Sequence, residues 1–299
     1  MSESVDIAVV LNRNSGRQNG EDSTAHVKRA FANLQIKTEV FAFHKGRSLA
    51  ETVKDALNAG ASTIVAAGGD GTICGVAEQV AGKGVKFGIL PMGTFNYFAR
   101  SLDVPQEIDA AAQVISAGHT ADIRLARIND RVFLNNASIG AYAAILETRE
   151  GVYKRWGRSR IAAYWSVLKT LGTFRAPLHL DVTIDGETHH CRTSIAFAIN
   201  NAYQLDEMGI EGRDCIESGK LVLLIAPDTT RLGLMKHAIA LAFGRARRRT
   251  DYDFYCGNEI RIDTRKRNRL VARDGEKDRQ NGPFHLAIDN VPLEVYVPV

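Results

Sequence analysis

Ten residues constrain this chain more than any others: Thr63-Ile64-Val65-Ala66-Ala67-Gly68-Gly69-Asp70-Gly71-Thr72, an apolar run that breaks abruptly into three glycines, one carboxylate and one hydroxyl. The run is short, partly β-branched and apolar on both faces, which predicts a central strand of a parallel sheet. Ile73 to Val80 can then be helical. A strand, a glycine turn and a helix N-terminus place several backbone N–H groups around one point where the helix dipole also favours negative charge. That point suits a phosphate. Asp70 would repel a polyphosphate unless a cation such as Mg²⁺ sits beside it. Thr72 can cap the helix or donate to a phosphate oxygen. Gly-Gly-Asp-Gly is equally good turn chemistry without a ligand, so this stretch alone leaves both readings open.

A second stretch adds to it. Lys86 to Leu90 is another strand candidate, followed by Pro91-Met92-Gly93-Thr94-Phe95-Asn96-Tyr97-Phe98-Ala99-Arg100, again a turn opening into a helix. Two Gly/Thr turns about twenty residues apart have the spacing of one βαβ unit, so both loops fall on the carboxyl edge where parallel sheets bind ligands.

Gly68-Gly69-Asp70-Gly71-Thr72 together with Gly88-Ile89-Leu90-Pro91-Met92-Gly93-Thr94-Phe95-Asn96 and Phe98-Ala99-Arg100 resembles the diacylglycerol kinase catalytic-domain family, which includes bacterial lipid kinases and the sphingosine kinases. The form Gly-Thr-Phe-Asn-Tyr-Phe-Ala-Arg is most like bacterial members. The first motif is shared with NAD kinases and phosphofructokinases; the pair is far more specific.

At 299 residues the chain suits one large or two ordinary domains. No run of about eighteen apolar residues occurs, and Met1 to Asp6 lacks the basic and apolar regions of a signal peptide. The expectation is a cytoplasmic protein, with peripheral association at the inner membrane face left open. Cys74, Cys191, Cys215 and Cys256 show no Cys-x-x-Cys pairing, which argues against structural zinc and against disulfides. The net charge of +4 is uneven, with one cluster at Arg245, Arg247, Arg248 and Arg249 and another from Arg261 to Arg273. Such clusters meet acidic headgroups or nucleic acid, or are simply solvated faces. No nucleic-acid-binding motif accompanies them, and nucleic acid is not an expected partner. A homodimer stays open.

In chain order, Val5 to Leu11 reads as a strand ending in the polar turn Asn12-Arg13-Asn14-Ser15-Gly16, before a helix from Asp22 to Leu34. The resemblance implies that Asn12 and Gly16 bind ATP. Thr38 to Phe43 is the second strand, after which Ser48 caps a helix reaching Ala59. The family commonly has a nucleotide-contacting threonine where this sequence has Ala42 and Phe43. A helix from Ile108 to Ala117 stops at Gly118. This alternation predicts a doubly wound α/β domain over residues 1–120; the resemblance implies that it is of NAD kinase/phosphofructokinase-like type and that the final strand, 290–299, returns to it.

From Ala121 the pattern turns to strands: Asp122 to Ile128, Arg131 to Asn135, Leu178 to Ile184, Thr193 to Ile199, Lys220 to Ile225, Glu259 to Asp263, His285 to Ile288 and Leu293 to Val297. Asn129-Asp130 and Asp185-Gly186 are hairpin signals. A lipid-binding antiparallel β-sandwich domain over residues 121–289 is expected. Two apolar helices with basic ends, Ile161 to Phe174 after Lys154, Arg155, Arg158 and Arg160, and Leu232 to Phe243, can cover a sheet or lie in a membrane interface.

Val271-Ala272-Arg273-Asp274-Gly275-Glu276 puts two acids either side of a glycine. By itself this is an ordinary turn. By resemblance, Glu276 takes the proton of the accepting hydroxyl and Asp274 assists or helps organise metal. Many members also hold a structural Mg²⁺ at an Asp-Asp-Gly segment, where Ser218 here replaces the second Asp. The resemblance therefore implies an ATP- and Mg²⁺-dependent kinase acting on a hydroxyl of a diacylglycerol-like or sphingoid lipid at a membrane surface. Gly68, Gly69, Gly71, Thr72, Gly93, Thr94 and Asn96 would hold the nucleotide, and Asp70 would organise it through Mg²⁺. A soluble-metabolite kinase of NAD-kinase type, or a non-catalytic nucleotide or lipid sensor on the same fold, are the rival readings.

Overall fold

The computed structural model describes residues 6–13, 22–44, 47–141 and 177–299. Gly16 and the expected helix over Ile161 to Phe174, with the basic residues before it, lie outside the described residues. The chain divides into two compact units, Met1–Leu125 with Asp289–Val299, and Ala126–Ile288.

The first unit alternates β1 (Ile7–Asn12), α1 (Ser23–Asn33), β2 (Thr38–Phe43), α2 (Leu49–Asn58), β3 (Thr63–Gly68), α3 (Asp70–Val80), β4 (Lys86–Pro91), α4 (Tyr97–Ser101) and α5 (Ile108–Ala117). The strands lie parallel in the order β2-β1-β3-β4. The winding direction thus reverses between β1 and β3, and in open parallel sheets ligands bind outside the carboxyl ends of the strands at such a reversal. Helix starts are written locally: Asp22 accepts from Thr24 N–H, and Ser48 and Glu51 form a reciprocal capping box. Gly118 in the left-handed region (φ 82°) ends α5. Phe31, Val53, Ile73, Val76 and Ala112 are fully buried.

One local expectation shifts. The third helix starts at Asp70 with Gly69 as N-cap, not at Ile73, so Gly71 and Thr72 lie inside its first turn and Thr72 is not a cap.

The second unit contains the end of β5 (Thr120–Ile128), β6 (Arg131–Phe133), β7 (Asn136–Gly140), β8 (Leu178–Ile184), β9 (Glu187–Thr193), β10 (Ile195–Ile199), α6 (Ala202–Glu207), α7 (Arg213–Glu217), β11 (Leu221–Ile225), α8 (Arg231–Ala242), β12 (Asp253–Gly257), β13 (Glu259–Thr264), β14 (Asn268–Arg273), β15 (Glu276–Asn281) and the start of β16 (Phe284–Tyr296). It is an antiparallel β-sandwich. One layer is β16-β13-β8-β9 and the other β12-β11-β10-β7-β14-β15. Alternate residues of both, among them Ile139, Val182, Leu223, Ile260, Val271 and Phe284, form the core between them. A smaller cluster under α6 to α8 gathers Ile199, Leu205, Val222 and Leu224, with Leu241 packed against it.

β16 is one strand where two were expected; its end pairs parallel with β4 through Val295 and Phe87. The cysteine expectation is also corrected. Cys215 of α7 and Cys256 of β12 form a disulfide, their Cα atoms 6.1 Å apart and the pair 41 positions apart in sequence. A search for close Cys spacing misses a pairing that only the fold brings together. Among the described residues, no helix is long and apolar enough to cross a membrane.

Candidate functional site

The ends of β1, β3 and β4 meet around the first turn of α3. Asn12, the last residue of β1, donates from Nδ2 to Thr72 Oγ1 at 3.0 Å, tying the first strand to the helix. Gly68 lies directly under Thr72: a Cβ there would sit 2.6 Å from the threonine Cβ. The two glycine turns lie against each other. A Cβ on Gly93 would stand 2.7 Å from the Gly69 Cα and 2.5 Å from Asn96 Oδ1. No side chain fits at that crossing, so these glycines serve close backbone approach.

Asn96 holds the second turn. Buried and left-handed (φ 52°), it accepts the Gly93 N–H at 2.8 Å and donates to Gly93 O and Gln106 Oε1. An Asn tolerates this backbone where a branched residue would not. Its amide thus shapes the loop, while Gly93 and Thr94 are exposed. Asp70 opens α3, and its carboxylate accepts the Phe98 N–H of α4 at 3.3 Å. Its side chain thus links the first turn of α3 to the start of α4. The α3 N-cap, Gly69, supplies no side-chain hydrogen bond. Backbone donors at an open helix start, with one carboxylate among them, suit a polyphosphate accompanied by a divalent cation.

The late acidic pair occupies the β14–β15 hairpin of the second unit. Asp274 is buried and left-handed (φ 43°). Its carboxylate accepts three successive backbone N–H groups, from Leu134 (2.6 Å), Asn135 (2.8 Å) and Asn136 (3.0 Å), and its own N–H donates to Asn136 O. Glu276, one residue beyond the glycine, is exposed. Arg273 is buried, donates to Val132 O and stands 3.6 Å from Asp278.

Sequence reasoning missed the amide network under this hairpin. Asn201 Nδ2 donates to Asn135 Oδ1 (2.7 Å), Asn201 Oδ1 accepts Gln204 N–H (3.0 Å), and Asn136 Nδ2 donates to Gln204 Oε1 (3.1 Å). All four side chains are buried. The pairs Asn135-Asn136 and Asn200-Asn201 at strand ends were the available signal. Ser218, which stands where the family's structural-metal segment has its second Asp, donates to Cys215 O at 2.8 Å. Among the described residues, no group of three or more His, Cys, Asp or Glu side chains is arranged to hold a metal ion.

Comparison with known proteins assigns both halves. Residues 6–128 match the Diacylglycerol kinase catalytic domain, and residues 137–297 match the YegS C-terminal NAD kinase beta sandwich-like domain. The chain belongs to the diacylglycerol kinase catalytic-domain family, in the form that carries a YegS-type C-terminal sandwich. A Cronobacter sakazakii protein named "Probable lipid kinase YegS-like" is 39% identical over 103 residues, 33% of this chain and 34% of that protein. A Staphylococcus aureus protein named "Diacylglycerol kinase" is 31% identical over 141 residues, 44% of this chain and 42% of that protein. The matches thus span well under half of these relatives' length. A crystal structure of a diacylglycerol kinase from Bacillus anthracis shares the fold, with TM-score 0.73 at 18% identity over 98% of this chain and 97% of that one.

Proposed function

We propose that the protein is an ATP-dependent lipid kinase that transfers the γ-phosphate to a hydroxyl of a diacylglycerol-like or sphingoid lipid taken from a membrane surface. The observation that carries this reading is the pair of glycine turns locked backbone to backbone, Gly69 on Gly93, beside the open start of α3 and the carboxylate of Asp70. In this reading the first unit binds nucleotide and the second binds lipid. Backbone N–H groups of Gly71, Thr72 and Thr94 orient the triphosphate, Gly93 lets the second turn close against Gly69, and Asn12 holds Thr72 in place. Asp70 is the carboxylate suited to the nucleotide's Mg²⁺, which neutralises charge on the transferring phosphoryl group when bound. An ion shared between one carboxylate and substrate phosphates needs no all-protein cage.

Glu276 accepts the proton of the lipid hydroxyl as the phosphoryl group arrives. Asp274 positions it: three backbone bonds fix the hairpin from which Glu276 projects. Purified protein incubated with γ-labelled ATP, Mg²⁺ and mixed micelles of candidate lipids tests the reading. Label should enter the organic phase, and Asp70→Ala and Glu276→Ala should each abolish it. Label only on a water-soluble acceptor would replace it with a metabolite kinase, and nucleotide binding without turnover with a sensor.

A further inference from the structure

Helix α8 has apolar residues on two opposite faces, and only one of them is packed. Leu234 is buried, and Leu241, seven residues on, packs against the small cluster under the helix. His237 of the same face bonds Asp251 at 2.5 Å. On the other side Leu232 is 79% exposed, Ile239 43% and Phe243 72%. Their spacing of seven and then four residues puts these three in one stripe, and Lys236 lies in the same stripe, exposed. They are three of the five large hydrophobic side chains most exposed in the described structure. Exposed large apolar side chains aligned along one helix face mark an interaction face.

Its charge says what it meets. Residues 229–250 hold six Lys or Arg and no Asp or Glu, in a chain whose net charge is only +4, so the remainder is net acidic by two. The helix ends sharply: Gly244 is left-handed (φ 61°), and the Arg245 N–H returns to Ala240 O. This turn folds Arg245 back at the helix end, two residues from Phe243, with Arg247 and Arg249 following in the next four positions. Arg248 is engaged over the Phe254 ring at 4.7 Å, while Arg245, Arg247 and Arg249 are exposed. An apolar stripe about 16 Å long, with cations interleaved and at its end, matches the boundary between acyl chains and anionic headgroups.

We infer that the outer face of α8, with Leu232, Ile239 and Phe243 inserted and Lys236, Arg245, Arg247 and Arg249 above them, docks the protein on an anionic lipid surface. Preferring a membrane to a protein partner rests in part on the lipid-kinase reading. The two fail separately, because docking needs no nucleotide.

The full chain is sedimented without nucleotide with phosphatidylcholine vesicles, with or without phosphatidylglycerol. Wild type should bind the anionic vesicles and release them as salt rises from about 50 to 500 mM, where the screening length shrinks several-fold. The triple variant Leu232→Ser, Ile239→Ser, Phe243→Ser should lose tenfold or more of that binding while the thermal midpoint stays close to wild type, since none of the three belongs to either buried cluster of the second unit. Arg245→Ser with Arg247→Ser and Arg249→Ser should abolish the preference for anionic lipid. Asp70→Ala should bind as wild type does. Wild-type-like binding by the folded triple variant overturns the inference. So does absence of wild-type binding, or self-association that the triple variant abolishes.

Discussion

Asp-Gly-Glu occurs twice in this chain, at Asp185-Gly186-Glu187 between β8 and β9 and at Asp274-Gly275-Glu276 between β14 and β15. Both make two-residue hairpins with left-handed central residues, φ 47° and 94° in the first, 43° and 86° in the second. There the likeness stops. Asp185 is exposed and accepts the N–H groups of Asn258 and Glu259, at the rim of the sandwich. Asp274 is buried, gathers three N–H groups from the junction of β6 and β7, and lies over the Asn135–Asn201 and Asn136–Gln204 amide pairs. The same tripeptide is a surface turn in one place and a buried anchor in the other. What distinguishes them is the set of donors that the rest of the fold delivers to the carboxylate, which the tripeptide does not encode.

The sharpest way to break this contrast is to neutralise the two glutamates. Glu276→Gln should lower kcat for lipid phosphorylation by about 10²–10⁴-fold, the range of a lost general base. Glu187→Gln should leave the rate at the wild-type level. Initial rates at saturating ATP and lipid decide it, and equal losses in both variants would remove any special role from the second hairpin.

The aspartates come next. Asp274→Asn puts an NH₂ group among backbone donors that cannot reach water, so unfolding free energy should fall by about 3 kcal/mol. Asp185→Asn exposes its two donors to solvent, and its cost should be about 1 kcal/mol or less. Urea midpoints with matched slopes measure both. A comparable cost at the two sites would mean that burial does not separate them.

How much of this was readable beforehand differs between the units. β3 and the β4 candidate announced themselves because buried parallel strands are continuous apolar runs, and Asp22, Ser48 and Gly118 marked helix ends by local chemistry alone. The sandwich was harder. β7, Asn-Ala-Ser-Ile-Gly, is central yet nearly devoid of β-branched residues, and β15, Glu-Lys-Asp-Arg-Gln-Asn, is an edge strand with no apolar residue at all. Their pairing is imposed by neighbours: β7 by β10 and β14, β15 by the Asp274-Gly275 turn. The Cys215–Cys256 bond and the amide network escaped for the same reason, since both join residues far apart in sequence. Asp70 and Asn12 were legible as site candidates, but the role of Asn96 as a loop brace was not.

The smallest expected effect is also the most specific to the exposed hairpin. The Glu259 N–H, with those of Asn258, holds the Asp185 carboxyl below the usual carboxylate range against a weaker opposing effect of burial. A depressed folded pKa means that the unfolded chain takes up its proton first as acid is added. The stabilisation is therefore complete above the unfolded value near 3.9 and is lost as pH falls through the lower folded value. Solvent screening limits it to about 0.5 kcal/mol at this exposed site. The gap in unfolding free energy between wild type and Asp185→Asn should accordingly narrow from about pH 5 to about pH 3, as the linkage slope requires. A gap constant across that window would show that the hairpin is held by its backbone alone, and that the charge of Asp185 contributes nothing to it.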